Sequence, residues 1–305
     1  MDNYLKKVIQ DRVEKRIALT DGKKDEMETN TKTSKRPAID LAIDEFIMTE
    51  GEGKVSEEFQ QVAIDQMKTF LFAGHDTSSS TMSYVYHLLN LHPEELARVT
   101  KEHDDVFGDI DGTAEKIKND PKLLNELPYT TAVIKETLRL YPPASTARQG
   151  SPSLDLTYNN TSHPTSNIMV WINNHTMHRD ASLFPSPDSF LPARFLPSSH
   201  PLYHLSPQAE VGIPKDAYRP FEKGPRACKG QELAMLEMKI ICLMTVREFD
   251  VKACYDEWDA KLGREKPGDM LDGRRGMFGY RSYQEMKASG KPADGMPARV
   301  MRRKT

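Results

Sequence analysis

The chain has 305 residues, of which 38% are hydrophobic and 29% charged, with 17 Gly and 20 Pro, a composition that describes a globular protein and excludes collagen, a coiled coil and wholesale disorder. A formal charge of -3 supplies no basic field to capture phosphates, so no nucleic acid is expected as a partner. The apolar stretches, such as Phe70-Leu71-Phe72-Ala73, fall far short of the roughly 18 residues that would span a bilayer.

Residues 1–19 carry Leu5, Val8, Ile9 and Val13 between charged side chains, which predicts an amphipathic helix with one buried stripe. Residues 20–37, rich in Lys, Asp, Glu and Thr and nearly free of large apolar groups, read as a flexible linker. A short helix is expected over residues 38–48, followed by a turn containing Gly51 and Gly53. A long helical pattern then runs over residues 56–91, with Ser56 placed to cap it and Glu57 and Glu58 in the first turn, where the helix dipole favours negative charge. At about 1.5 Å per residue such a helix crosses a whole domain, on the order of 50 Å. Its middle, Ala73-Gly74-His75-Asp76-Thr77-Ser78-Ser79-Ser80, is full of poor helix formers, and the glycine alone costs about 1 kcal/mol relative to alanine. Local weakness at the centre of a long helix points to a functional site.

Pro93 opens a further helix over residues 93–107, since its missing N–H costs nothing at the first helical position. Another helix is expected over residues 128–141, stopped by Pro142-Pro143. Residues 144–171 mix β-branched side chains with Ser, Thr, Asn and Pro, which fits short strands and turns. Prolines punctuate residues 175–220, a mostly irregular segment longer than an ordinary loop. Residues 231–246 are again helical, and the remainder reads as short strands and loops. The run from Arg299 to Lys304 reads as a solvated basic tail. Cys228, Cys242 and Cys254 form an odd, widely spaced set without a CxxC, which argues for a reducing compartment and against a disulfide framework. The N-x-Ser/Thr acceptors at Asn159, Asn160 and Asn174 read as chance matches in a chain with no recognisable secretory signal. The length allows two domains or one large one, at roughly 150 residues per domain.

The most informative stretch is Phe221-Glu222-Lys223-Gly224-Pro225-Arg226-Ala227-Cys228-Lys229-Gly230, directly before a helix. A thiol at a helix N-terminus beside cations is favoured as the thiolate, which can attack or bind metal. Gly224 and Gly230 allow a tight turn and the close approach of a flat ligand. A buried structural cysteine is the commoner fate of a lone Cys. Elsewhere, Glu136 and Arg139 lie on one face of the helix before Pro142 and can form a buried ion pair, which calls for a third partner to satisfy both charges.

The pattern Phe-x-x-Gly-x-Arg-x-Cys-x-Gly resembles the haem-binding loop of cytochrome P450 monooxygenases, and its five fixed residues would match by chance in roughly one such chain in ten thousand. Other motifs of that family follow in the expected order. Glu136-Thr137-Leu138-Arg139 is similar to its Glu-x-x-Arg, and Pro192-Ala193-Arg194-Phe195 to the segment whose arginine, here Arg194, completes a structural Glu-Arg-Arg triad behind the haem. Ala73-Gly74-His75-Asp76-Thr77 is similar to the Ala-Gly-x-Asp-Thr that lies over the oxygen-binding face of the iron. His178-Arg179-Asp180 and Phe184-Pro185 resemble structural segments of the same family.

The resemblance implies a mainly α fold with small β-sheets around one heme b (iron protoporphyrin IX), with residues 38–305 forming the haem-binding C-terminal part of a single domain. It implies Cys228 as the metal ligand, with Arg148 and Arg226 as propionate partners and Phe221 and Gly230 shaping the cofactor loop. Asp76 and Thr77 would be the catalytic proton-delivery residues. The implied reaction inserts one oxygen atom of O2 into a lipophilic organic substrate, and a fungal-type register adds secondary metabolism as the setting. Electrons would come from an NADPH-cytochrome P450 reductase, because no dinucleotide or flavin loop occurs in the sequence. Full members of this type are anchored in the endoplasmic reticulum membrane and carry a first sheet and further helices ahead of the long central helix, so the chain is expected to be an N-terminally truncated member. The family's Gly-x-x-Ile-Pro-x-Gly turn is replaced by Asn160 to Asn167, which puts the local strand pairing in question. Two other readings stay open: a haem-binding but catalytically incompetent fragment or pseudoenzyme, and an interaction fragment that docks through an exposed apolar face of the long helix.

Overall fold

A computed structural model describes residues 1–21, 56–263 and 281–303. The chain divides into two compact units, Met1–Ala73 and Gly74–Thr305. In the first, helix α1 (Asp2–Asp21) buries Leu5, Ile9 and Val13 against Ile64 at the start of helix α2 (Glu57–Leu91), with Ala63 and Met67 packed at the rim. This is the apolar stripe read from the sequence, and the helix runs two residues past the expected end at residue 19. The linker from residue 22 onward, the helix expected over residues 38–48 and the glycine turn lie outside the described residues. Ser56 caps α2 as expected, its Oγ accepting from Phe59 N at 3.2 Å. Val62, Phe70, Leu71 and Phe72 on α2 are more than half exposed.

Helix α2 continues through Gly74 to Leu91. Two hydroxyls in and beside its weak centre bond to helix carbonyls, Ser79 Oγ to Asp76 O at 3.1 Å and Thr81 Oγ1 to Thr77 O at 2.9 Å. Ser80 Oγ instead leaves the helix for the Gly290 carbonyl, at 2.5 Å. Helix α3 (Pro93–Phe107) follows, with Pro93 at its first position. Its C-terminal end is held by the buried Arg247, whose guanidinium donates to Asp104 Oδ1 (3.1 Å), to the Gly108 carbonyl and to Thr113 Oγ1 (2.7 Å). A cation suits the unsatisfied carbonyls of a helix end. The short helix α4 (Thr113–Asn119) has no counterpart in the sequence reading.

Helix α5 (Pro128–Leu140) is the axis of the second unit, since ten of its thirteen residues are buried. Val133, Ile134, Leu138 and Leu140 meet Met82, Val85 and Leu89 of α2, Val99 of α3, Phe190 and Ala193 of the irregular segment, and Met238 and Cys242 of the helix over Gln231–Thr245. A helix buried nearly all round lies inside such a layer, and the two buried charged side chains it carries, Glu136 and Arg139, therefore need internal partners.

The described residues also form four two-stranded antiparallel sheets. Strand β1 (Thr146–Gln149) pairs with β4 (Met169–Ile172), and between them β2 (Asp155–Tyr158) and β3 (Thr161–Pro164) form a hairpin. The pairing that the missing glycine-proline turn put in question is thus formed, with Asn159 and Asn160 at φ of 47° and 61° supplying the two left-handed turn residues. Gly150 makes the approach possible, because a Cβ there would sit 1.8 Å from the Thr165 carbonyl oxygen.

Residues 175–220 are irregular as expected, with the one-turn helix α6 (Asn174–Met177) at the start and a 3-10 turn over Pro192–Phe195. Helix α7 (Gln231–Thr245) follows the cysteine loop. Strand β5 (Phe249–Ala253) leads into helix α8 (Tyr255–Lys261), which the sequence reading did not anticipate. Strands β6 (Gln284–Lys287) and β7 (Ser289–Pro292) form a tight hairpin, and β8 (Ala298–Arg302) pairs with β5. As far as Arg302 the basic run is therefore a strand and not a free tail, while Lys304 lies outside the described residues. Arg299 pairs with Glu257, Arg302 with Glu248 and Arg303 with Asp250, so each cation meets an acid that only the folded chain brings near. No helix among the described residues is long and apolar enough to cross a membrane.

Candidate active site

The loop before α7 is shaped by its own backbone. Cys228 N donates to Phe221 O at 2.8 Å, Ala227 N to Gly224 O at 3.0 Å, and Gly224 holds φ of 78°, a conformation that a side chain would strain. Phe221 packs at the edge of the main core and so fixes the near end of the loop. At the far end Gly230 is the N-cap of α7, with no side chain capping the helix, and a Cβ built on it would lie 3.8 Å from Cys228 Sγ. The thiol is exposed and free, beside uncapped N–H groups and near Arg226 and Lys229, both also exposed. Cys242, by contrast, is buried in the core, and burial pushes its thiol up to about 12.

Arg148 on β1 reaches this loop through Glu222, a residue at φ of 61° whose Oε2 lies 3.7 Å from Arg148 and 3.5 Å from Arg219. Glu222 occupies an unspecified position of the motif, and so carried no signal in the sequence. No group of three or more His, Cys, Asp or Glu side chains able to hold a bare metal ion occurs among the described residues. A single exposed thiol with Arg226 and Lys229 beside it in the chain would suit instead a metal that brings further ligands of its own and carries anionic groups.

A buried charge cluster is built on α5. Glu136 on α5 receives a two-pronged contact from Arg139, Nε to Oε2 and Nη2 to Oε1, both 2.8 Å, and Arg194 Nε adds 3.2 Å to Oε1. Leu191 N donates to the same oxygen at 2.9 Å. The remaining guanidinium hydrogens go to carbonyls of the irregular segment, Arg139 to His178, Pro187 and Ser189 and Arg194 to Ser186, while Arg194 also reaches Gln208 Oε1 at 3.3 Å. Burial lowers the Arg194 pKa from its ordinary value, and Glu136 opposes that shift. His178 accepts from Arg219 N at 3.1 Å, and burial pushes it down to about 4, so it is neutral and its proton sits on Nδ1. Together these bonds hold the long proline-rich segment against α5.

On α2, Asp76 is 7% exposed, with Oδ1 2.5 Å from Lys291 Nζ and Oδ2 accepting from Ser289 Oγ. The bond from Lys291, then that from Ser289, holds the carboxyl below the usual aspartate range. Thr77 follows it, partly buried. A Cβ built on Gly74 would meet nothing within 4 Å, so the helix surface is open there.

The family profile described as Cytochrome P450 matches residues 1–265. The chain belongs to the cytochrome P450 family. The chain is 38% identical to "Cytochrome P450 monooxygenase acrF" of Aspergillus aculeatus, over 98% of its own length and 60% of the relative's. It is 40% identical to "Cytochrome P450 monooxygenase polC" of Polytolypa hystricis, over 81% and 42% respectively. A shorter relative, "Cytochrome P450 monooxygenase PC-23" of Penicillium crustosum, is 38% identical over 72% of this chain and 99% of its own. Among solved structures, "Crystal structure of cytochrome P450DA heme domain" superposes with a TM-score of 0.65 at 20% identity, covering 100% of this P450 chain and 53% of that one. The fold is that of a P450 haem domain, mainly α with small sheets, and the fungal relatives place the chain in a fungal-type branch. The family implies a haem-iron cofactor, and the lone exposed Cys228 at the head of α7 fits it. The P450 chain spans about half the length of the curated relatives first matched.

Proposed function

We propose that this chain carries the haem-thiolate centre of a monooxygenase that acts on a lipophilic organic substrate. The observation that supports it best is Cys228, a free, exposed thiol set by the Phe221 carbonyl and by Gly230 at the uncapped N-terminus of α7. In this reading Cys228 is the sulfur ligand of a heme b, Phe221 and Gly230 shape its loop, and Arg226 and Arg148 pair with the propionates, Arg148 exchanging the distant contact to Glu222 for a closer carboxylate. When bound, the haem supplies the oxidising chemistry, and thiolate donation favours cleavage of the O–O bond.

The protein's part is positioning and protons. Gly74 leaves room on α2 for a diatomic ligand. Asp76 takes protons from solvent, and the Thr77 hydroxyl hands them inward. Glu136, Arg139 and Arg194 hold the irregular segment on α5, and serve structure only. The electrons come from an NADPH-cytochrome P450 reductase and the oxygen from O2.

The test is a reduced carbon monoxide difference spectrum of the purified chain. A strongly red-shifted Soret band, absent in Cys228→Ala, is expected; failure to take up haem would sink the reading for this chain. With reductase and NADPH, native protein and Thr77→Ala are then compared for coupled oxygenation. Haem uptake without reductase-driven oxygenation would make the chain a haem-binding but catalytically incompetent fragment.

A further inference from the structure

The β6–β7 hairpin touches α2 at its weak centre. Strand alternation puts Ser289 and Lys291 on one face of β7, two residues apart. Both reach one carboxylate: Lys291 Nζ lies 2.5 Å from Asp76 Oδ1, and Ser289 Oγ donates to Oδ2. The backbone between them is tied as well, since Gly290 O accepts from Ser80 Oγ at 2.5 Å and Gly290 N donates to Pro143 O at 2.7 Å. The hairpin turns on Ala288, at φ of 61°, which brings the strand back onto α2. A side chain at position 290 would press on Gln284, whose Nε2 sits 2.5 Å from the place of its Cβ.

A buried carboxylate with a cation on one oxygen and a hydroxyl on the other is held ionised and in one rotamer. It cannot take up a proton while both partners stay. Lys291 is the partner able to leave, because its side chain is 39% exposed whereas Ser289 is buried. Among the described residues, the charged and titratable groups facing Asp76 are Lys291 on β7 and His75 on its own helix.

We propose that Ser289 and Lys291 are positioning residues that clamp Asp76, and that release of Lys291 into solvent admits the proton Asp76 passes to Thr77. The inference rests on the proton-delivery reading given above, but the clamp can be tested apart from turnover. The carboxyl 13C resonance of Asp76, assigned with Asp76→Asn in the haem-loaded ferrous carbon monoxide form, is followed against pH. If no haem is taken up, the same titration is run on the haem-free chain. Relative to native, Lys291→Met raises the titration midpoint, Ser289→Ala raises it less, and Lys291→Arg returns it towards native. Equal midpoints in native protein and Lys291→Met would overturn the proposal. If Lys291→Met does not fold, Ser289→Ala and Lys291→Arg decide it by the same comparison, with an unmoved midpoint in Ser289→Ala counting against the clamp.

With reductase and substrate, the pH profile of the fraction of NADPH electrons lost as hydrogen peroxide shifts in Lys291→Met, with a change in coupled rate of up to about a hundredfold, and Lys291→Arg restores it. A chain that takes up no haem defeats the monooxygenase reading while the titration still decides the clamp; normal oxygenation with an unmoved pH profile in Lys291→Met defeats the clamp alone.

Discussion

Replacing Glu136 by glutamine removes one negative charge from between two buried guanidinium groups and turns one of its two acceptor oxygens into a donor. In the native chain those oxygens accept from Arg139 Nε and Nη2, from Arg194 Nε and from Leu191 N. After the change Arg139 still has the carbonyls of His178, Pro187 and Ser189, and Arg194 still has those of Ser186 and the Gln208 side chain. Most hydrogen bonds therefore survive, and the main loss is charge compensation inside a region closed to water. Removing one partner of a buried ion pair costs about 3–5 kcal/mol, a large share of a total stability of about 5–15 kcal/mol. The assay is urea unfolding of native protein and Glu136→Gln at matched haem content, since bound cofactor shifts the midpoint by mass action. A double-mutant cycle with Arg194→Met isolates the Glu136–Arg194 contact, with an expected coupling of about 0.5–3 kcal/mol. A loss below about 1 kcal/mol for Glu136→Gln, in the range of a surface pair, would refute the view that this charge organises the irregular segment.

Three further outcomes follow from the geometry. Ser56→Ala removes the N-cap of α2 and lowers stability by about 1 kcal/mol, read from thermal unfolding, with Ser56→Asp restoring it. Gly150→Ala drives a methyl group into the Thr165 carbonyl and costs roughly 1–3 kcal/mol or more, whereas Gly212→Ala meets no neighbour within 4 Å and bears only the strain of φ at 66°. Acid destabilises the chain through its buried histidines: burial holds His103 at about 3 and His178 at about 4, against an ordinary 6.5. In that window the unfolded chain binds more protons, so stability is full above the ordinary value and falls as pH drops towards the folded values, by on the order of 5 kcal/mol for His103 and 3 kcal/mol for His178 at the acid end. Urea midpoints measured from neutral pH down should show this limb, shallower in His103→Leu; a flat profile between pH 7 and about 4 would contradict it.

Much of the helical framework was legible because its signals are local. Ser56, Pro93, Pro128 and Pro142 mark helix ends by capping or by a missing N–H, and Leu5, Ile9 and Val13 mark a buried stripe by spacing alone. Each depends on neighbours within about one helical turn. Helices α4 and α8 were missed because seven residues offer too little periodicity to read. The Ala298–Arg302 strand was missed because the acids that meet its basic run, Glu257, Glu248 and Asp250, lie more than forty positions back in the chain. The Asn159-Asn160 turn forms a hairpin by its own left-handed residues, without the family's glycine and proline.

The order of motifs, from Ala73–Thr77 through Glu136 and Arg139 to Cys228, was enough to identify the family from sequence, because so many fixed residue types in one order do not coincide by chance. What the tertiary structure decided is which side chains govern those residues. Glu222 beneath Arg148, Gln208 on Arg194, and Ser289 with Lys291 on Asp76 carry no local signature. Ser289 meets Asp76 across 213 positions of chain, with Lys291 two residues further on, and contacts of that span exist only once the β6–β7 hairpin has closed on α2, so no window of sequence contains them.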